Sequence, residues 1–201
     1  MVAYFEATRD PEGGAAIALD EGEASVLRTL ARQLLELIGP EQGPADGGDD
    51  PLAALFTEGP SEPPKDPALA RLFPDAYGEP GQDQDDEVRR QAAEFRRFTE
   101  TDLRTRKRED LLAMVRGLDE AGRAAEGDSP AVLTLGPEDA RRWLGALNDL
   151  RLTIAVRLDI KDDDAAEAML DFPAGDPNRP IVLAYVWLGG LQDSLIGTLL
   201  P

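Results

Sequence analysis

Histidine and cysteine are both missing from the 201 residues of this chain. Without imidazole there is no side chain poised as a general base near neutral pH. Without a thiol there is no cysteine nucleophile, no disulfide and no soft ligand for structural zinc. Lysine occurs only as Lys65, Lys107 and Lys161, and aromatic residues make up just 5% of the chain. Basic residues are few beside acidic ones, 21 against 40, so the formal net charge is −19. That balance repels phosphate and argues against nucleic acid as a partner. A long apolar run is also lacking. Residues 181–191 are the most apolar stretch, and they run into Gln192-Asp193-Ser194, so they read as a buried helix and not as a membrane span. The opening Met1-Val2-Ala3-Tyr4-Phe5-Glu6 has no basic region followed by an apolar core, and it reads as no signal peptide. The expectation is a cytoplasmic protein that needs no membrane, metal or cofactor.

Catalytic motifs are missing as well. The sequence holds no Gly-rich phosphate loop, no G-x-S-x-G elbow and no dinucleotide fingerprint. Asp46/Asp49/Asp50 and Asp162/Asp163/Asp164 lack the alternating spacing and central glycine of a calcium loop. The second cluster reads as a helix cap. A carboxylate-pair enzyme needs no histidine, but no pair is singled out by spacing.

What is present is helical periodicity. Two short apolar patches, Val2–Phe5 and Ala15–Leu19, flank the turn-forming Asp10-Pro11-Glu12-Gly13-Gly14 and predict a small β-hairpin that must lie on helices. Asp20 and Glu23 then form a capping box ahead of Leu27, Leu30, Leu34 and Ile38, an amphipathic helix that Gly39-Pro40 stops. Residues 87–126 predict one long helix or two in series. One stripe (Val88, Ala92, Phe95, Thr99, Leu103) is rotated from the next (Leu111, Val115, Leu118, Gly122), and a break near Thr105 is the simpler reading. Ala131–Leu135 reads as a strand or extended lead-in. Gly136-Pro137 opens a helix to about Leu158, apolar nearly all round and therefore central, with Trp143, Leu147, Leu150 and Ile154 on its main stripe. A last helix runs from Pro180 to about Leu199. The fold class is mainly α, a single-domain helical bundle over residues 1–201 with a small N-terminal β-hairpin and a long acidic Pro/Gly-rich connection.

That connection, residues 40–86, is the sharpest change in composition. From Gly39 to Asp86 there are twelve acidic residues against Lys65 and Arg71. Such a stretch has too little apolar surface to fold alone. It carries two similar turns, Asp50–Phe56 and Asp66–Phe73, each with Asp-Pro at its start and leucines with a phenylalanine on one side. Short helices of this kind need a surface to lean on, either their own core or another protein. Just beyond lies the opposite charge. Eight basic residues between Val88 and Arg108 stand against Glu94, Glu100 and Asp102. This strip could dock an acidic partner, but the acidic segment before it is tethered nearby and is the favoured counterpart.

The most specific polar set is on the central helix: Asn148, Asp149, Arg151 and Arg157, with Arg96 and Arg97 on the long helix as candidate companions. On a helical wheel Arg151 and Arg157 fall at the edges of the apolar stripe, with guanidinium groups seeking carboxylates or carbonyls. The favoured reading is a structural ionic network that fixes how helices cross. The sharper one is a clamp for a carboxylate or phosphate.

Several segments together resemble an actinobacterial family catalogued as a domain of unknown function, two-thousand-seventeen in that series. They are Leu19–Glu23 leading into Leu27–Ile38, Asp66–Tyr77, Glu94–Glu100, Trp143–Leu152 and Trp187–Gln192. Family genes often lie beside one for the Clp protease adaptor S, so the resemblance implies proteolysis or regulation and transfers no catalytic residue. The leading expectation is a non-enzymatic regulatory or adaptor protein that binds another protein. The alternative is a small anionic-ligand sensor built on Arg151. The apolar face of residues 181–191 with Trp187 leaves room for a homodimer.

Overall fold

The structure, a computed structural model, describes residues 3–9, 13–40, 59–78, 85–125, 127, 129–161, 173 and 175–200. Expectations for Asp50–Phe56, for the acidic run at 46–50 and for the Asp162–Asp164 cap lie outside these residues. Five helices are described: α1 (Glu21–Ile38), α2 (Pro67–Leu72), α3 (Asp86–Ala124), α4 (Pro137–Arg157) and α5 (Arg179–Leu199). With them are three short strands, β1 (Glu6–Ala7), β2 (Ala15–Leu19) and β3 (Ala131–Leu135).

The N-terminal element is a three-stranded antiparallel sheet of order β1-β2-β3, larger than the hairpin expected from the sequence. β3 joins from more than a hundred residues away, pairing Ala15 with Leu135 and Leu19 with Ala131. The first strand also sits later than the Val2–Phe5 patch suggested. Phe5 is drawn inward instead: its N–H donates to Ser194 Oγ at 3.1 Å and its ring meets Trp143 edge-on at 6.0 Å. Gly14, at φ +136°, closes the turn where the Leu135 carbonyl occupies the place a Cβ would take. Only glycine satisfies both demands.

α1 starts with the reciprocal capping box, Asp20 Oδ1 accepting from Glu23 N–H at 2.8 Å and Glu23 Oε2 from Asp20 N–H at 3.0 Å. Its buried row is Ala24, Leu27, Ala31, Leu34 and Ile38. α4 begins with Pro137 and packs against α1, α2, α3, α5 and β3, with Trp143, Leu147, Leu150 and Ile154 buried. α5 lies along α4, with Leu188, Leu191 and Leu195 wholly buried. By length and composition alone α5 could cross a membrane. α2 seats Ala68 and Leu72 on its own chain, against α4, and Phe73 follows them into the core.

α3 corrects the sequence reading twice. It is one continuous helix of 39 residues, about 58 Å long at 1.5 Å per residue, with no break near Thr105. Its N-terminal half also buries a different face. Phe95 is 45% exposed, whereas Ala92, Arg96 and Glu100 are inside. Charge pairing, not apolar character, chooses that face. The C-terminal half buries Leu111, Met114, Leu118 and Ala121, as expected of an apolar stripe against α1, α4 and β3.

Candidate functional site

Arg96, Glu100, Asp149 and Thr153 are the buried polar side chains among the described residues. Arg96 pairs with Glu100 one turn on, and donates to the Phe73 carbonyl at 3.0 Å and to Asp75 Oδ1 at 2.7 Å. Burial opposes its charge, but the Asp75 and Glu100 carboxylates outweigh that and hold its pKa above the ordinary arginine value. Asp75 belongs to the acidic connection, so part of that segment folds back on the basic strip. Glu100 Oε1 also accepts from Arg104 Nε at 2.8 Å, and the Arg104 guanidinium lies 4.3 Å over the Phe73 ring.

Arg104 and Arg108 then reach the end of α1. Arg104 Nη1 donates to the Ile38 carbonyl at 2.9 Å, and Arg108 Nη1 donates to the Gly39 carbonyl. α1 has no basic residue in its own last turn. The cations that offset the negative end of its dipole therefore come from α3.

A third link joins α3 to α4. Lys107 Nζ stands 2.6 Å from Asp149 Oδ1, and the Asp149 carbonyl accepts from the Thr153 hydroxyl at 2.8 Å. Burial raises the Asp149 carboxyl above its usual range, and Lys107 pulls in the other direction. Asp110 lies beside this pair, its carboxylate against Gly145, and burial raises it too.

Arg151 belongs to a separate contact between α4 and α5. Its Nη1 donates to Gln192 Oε1 at 2.7 Å, and its guanidinium lies 5.1 Å from the Tyr185 ring and over Gly189. Gln192 Nε2 reaches Asn148 Oδ1 at 3.5 Å, although Asn148 is exposed. Arg97 is half-buried, stands 6.0 Å from the Phe98 ring, and its carbonyl accepts the Gly59 N–H at 2.9 Å. Arg157 is exposed at the end of α4. Arg96 thus ties α3 to the segment after α2, whereas Arg151 ties α4 to α5.

The family described as "Domain of unknown function (DUF2017)" matches residues 4–199. The chain belongs to DUF2017. Among its relatives is a Mycobacterium leprae protein carrying the AosR name, 30% identical over 179 residues, covering 87% of this chain and 77% of the relative. Proteins of Mycobacterium bovis and of Mycobacterium tuberculosis, each named "Oxidative stress regulator AosR", are 28% identical over 174 residues with the same coverage of each chain. No solved structure matches the chain.

In this DUF2017 chain the ionic network also takes in Asp75, Glu100, Arg104 and Lys107, which the sequence offered as parts of the acidic connection and the basic strip and not as members of the candidate site. The i, i+4 spacing of Arg96, Glu100 and Arg104 is a usable signal. No local signal links Lys107 to Asp149, 42 residues apart. Among the described residues no group of three or more acidic, histidine or cysteine side chains is placed to hold a metal ion.

Proposed function

We propose that this DUF2017 protein is a non-enzymatic regulator of the cytoplasmic response to oxidants, acting by contact with a partner protein. The observation that carries the reading is similarity to proteins named oxidative stress regulators across 87% of the chain. The composition adds a condition. With no cysteine among 201 residues, this chain cannot sense an oxidant through a disulfide or sulfenic acid of its own. Met114 is wholly buried and so shielded from oxidants. In this reading the oxidant signal reaches the protein through its partner or through its abundance. Arg96 and Arg151 are engaged in separate places by groups of this same chain, which favours this reading over an anionic-ligand sensor.

Deleting the gene in its native host tests the proposal. Survival after peroxide treatment and the transcripts induced by peroxide should both change, and the intact gene should restore them. A deletion strain indistinguishable from wild type in both measurements overturns the reading.

A further inference from the structure

Among the described residues β3 lies at the edge of the sheet, and the hydrogen-bond phase shows what that edge offers. Thr8 N–H donates to the Gly14 carbonyl at 3.1 Å, so Gly14 and Ala16 direct their backbone groups toward β1. In an antiparallel ladder adjacent residues alternate between neighbours. Ala15, Ile17 and Leu19 therefore face β3 and engage Leu135, Leu133 and Ala131. The Leu135 carbonyl lying against Gly14 agrees with this phase. Val132 and Thr134 are left with both backbone N–H and C=O pointing away from the sheet.

Nothing in the strand guards that edge. Ala131-Val132-Leu133-Thr134-Leu135 carries no charge, proline or glycine, the devices that ordinarily discourage strand addition. Val132 is 64% exposed. Beside the edge runs a groove of about 380 Å³ toward α3. Its lining includes the small residues Gly117, Ala121 and Ala124, and its exposed rim carries Arg116, Glu120 and Asp139. Small residues on α3 leave room for the inward side chains of an added strand.

We propose that the open edge of β3 docks an extended, positively charged segment of a partner protein as a fourth strand. This rests on the reading of the protein as a contact-based regulator and names the surface used. Main-chain bonds to Val132 and Thr134 would supply register, and the groove would receive alternate side chains. Charge selects the occupant. The rim holds two carboxylates against one guanidinium, in a chain of net charge −19. An acidic segment is repelled, and so is a second copy, which would set −19 against −19 across one five-residue strand.

The test uses the full chain and a labelled synthetic peptide of alternating lysine and valine. Two controls are the same peptide with alternate amides N-methylated and a glutamate–valine counterpart. Binding is followed by fluorescence anisotropy, and the Val132 and Thr134 amides by hydrogen exchange. The lysine–valine peptide should bind and slow exchange at both amides. N-methylation should weaken binding at least about tenfold, since it removes the strand bonds while keeping charge. Val132→Pro should do the same from the protein side, because its lost N–H faces away from β2, whereas Val132→Thr should bind normally. The N-methylated peptide keeps the test decisive should Val132→Pro fold poorly.

Absence of binding, equal binding of the methylated or acidic peptide, or protection of both amides in the free chain each overturns the proposal. In the last case, protection that grows with protein concentration identifies a second copy as occupant, and constant protection identifies a segment of this chain. A failed peptide test beside an altered peroxide response removes the docking edge alone. Normal peroxide response beside peptide binding removes the regulatory reading instead.

Discussion

Lys107 on α3 and Asp149 on α4 form an ion pair at 2.6 Å, and the aspartate side chain is only 4% exposed. The lysine keeps more access to water than the aspartate does. The pair sits where the long helix crosses the central one, so its geometry and the crossing of the two helices depend on each other.

Removing only one partner strands a charge away from water. Lys107→Ala should destabilise the protein by about 3 kcal/mol, because Asp149 then lacks its counter-ion. The paired replacement Lys107→Met with Asp149→Leu should recover most of that loss, since no buried charge remains. Urea unfolding of the two variants checks this. A double variant no more stable than Lys107→Ala would show that the pair contributes through something besides charge.

Acid should strengthen this region before it weakens the protein. Asp110 and Asp149 both have carboxyl pKa values raised by burial, against the opposing pull of Arg106 and Arg142 on the first and of Lys107 on the second. A carboxyl whose folded pKa exceeds its unfolded one binds its proton more tightly in the native state. Its contribution to stability therefore rises as pH falls from the raised value toward the ordinary carboxylate range, about 4. Asp110→Asn removes one such group. It should be more stable than wild type near neutral pH, with the advantage shrinking as pH approaches about 4. Urea midpoints measured across that range decide it, and a constant difference would contradict the assignment.

Arg104 ties three parts of the chain together. Its planar fork pairs with Glu100, reaches the Ile38 carbonyl and lies over Phe73. Arg104→Ala should cost about 2–3 kcal/mol through lost charge-assisted hydrogen bonds. Arg104→Lys should restore only a minor part, because a compact ammonium lacks the planar fork that spans Glu100 and the Ile38 carbonyl while lying over Phe73. Chemical denaturation gives the stabilities, and amide exchange in the last turn of α1 should quicken in both variants.

The local features of the fold were legible because their causes are local. Asp20 and Glu23 lie three residues apart, and the capping box forms from that spacing. Pro137 can start α4 wherever the rest of the chain goes, and the Trp143–Ile154 stripe follows from 3.6-residue periodicity and apolar side chains. The same reasoning placed Phe95 inward on α3 and failed, because it equates burial with apolar character. There the buried positions are Arg96 and Glu100, which can leave water only because Asp75 and the Phe73 carbonyl meet them.

The sequence by itself therefore determined where α1, α2, α4 and α5 lie, the caps of α1 and α2, and the absence of thiol and imidazole chemistry within these residues. Tertiary structure decided which face of α3 is buried, that β3 joins β2, and that Lys107 finds Asp149. Each of these joins residues distant in the chain. A one-dimensional pattern records the period of a single element, whereas a sheet register or a buried ion pair exists only once two elements have met.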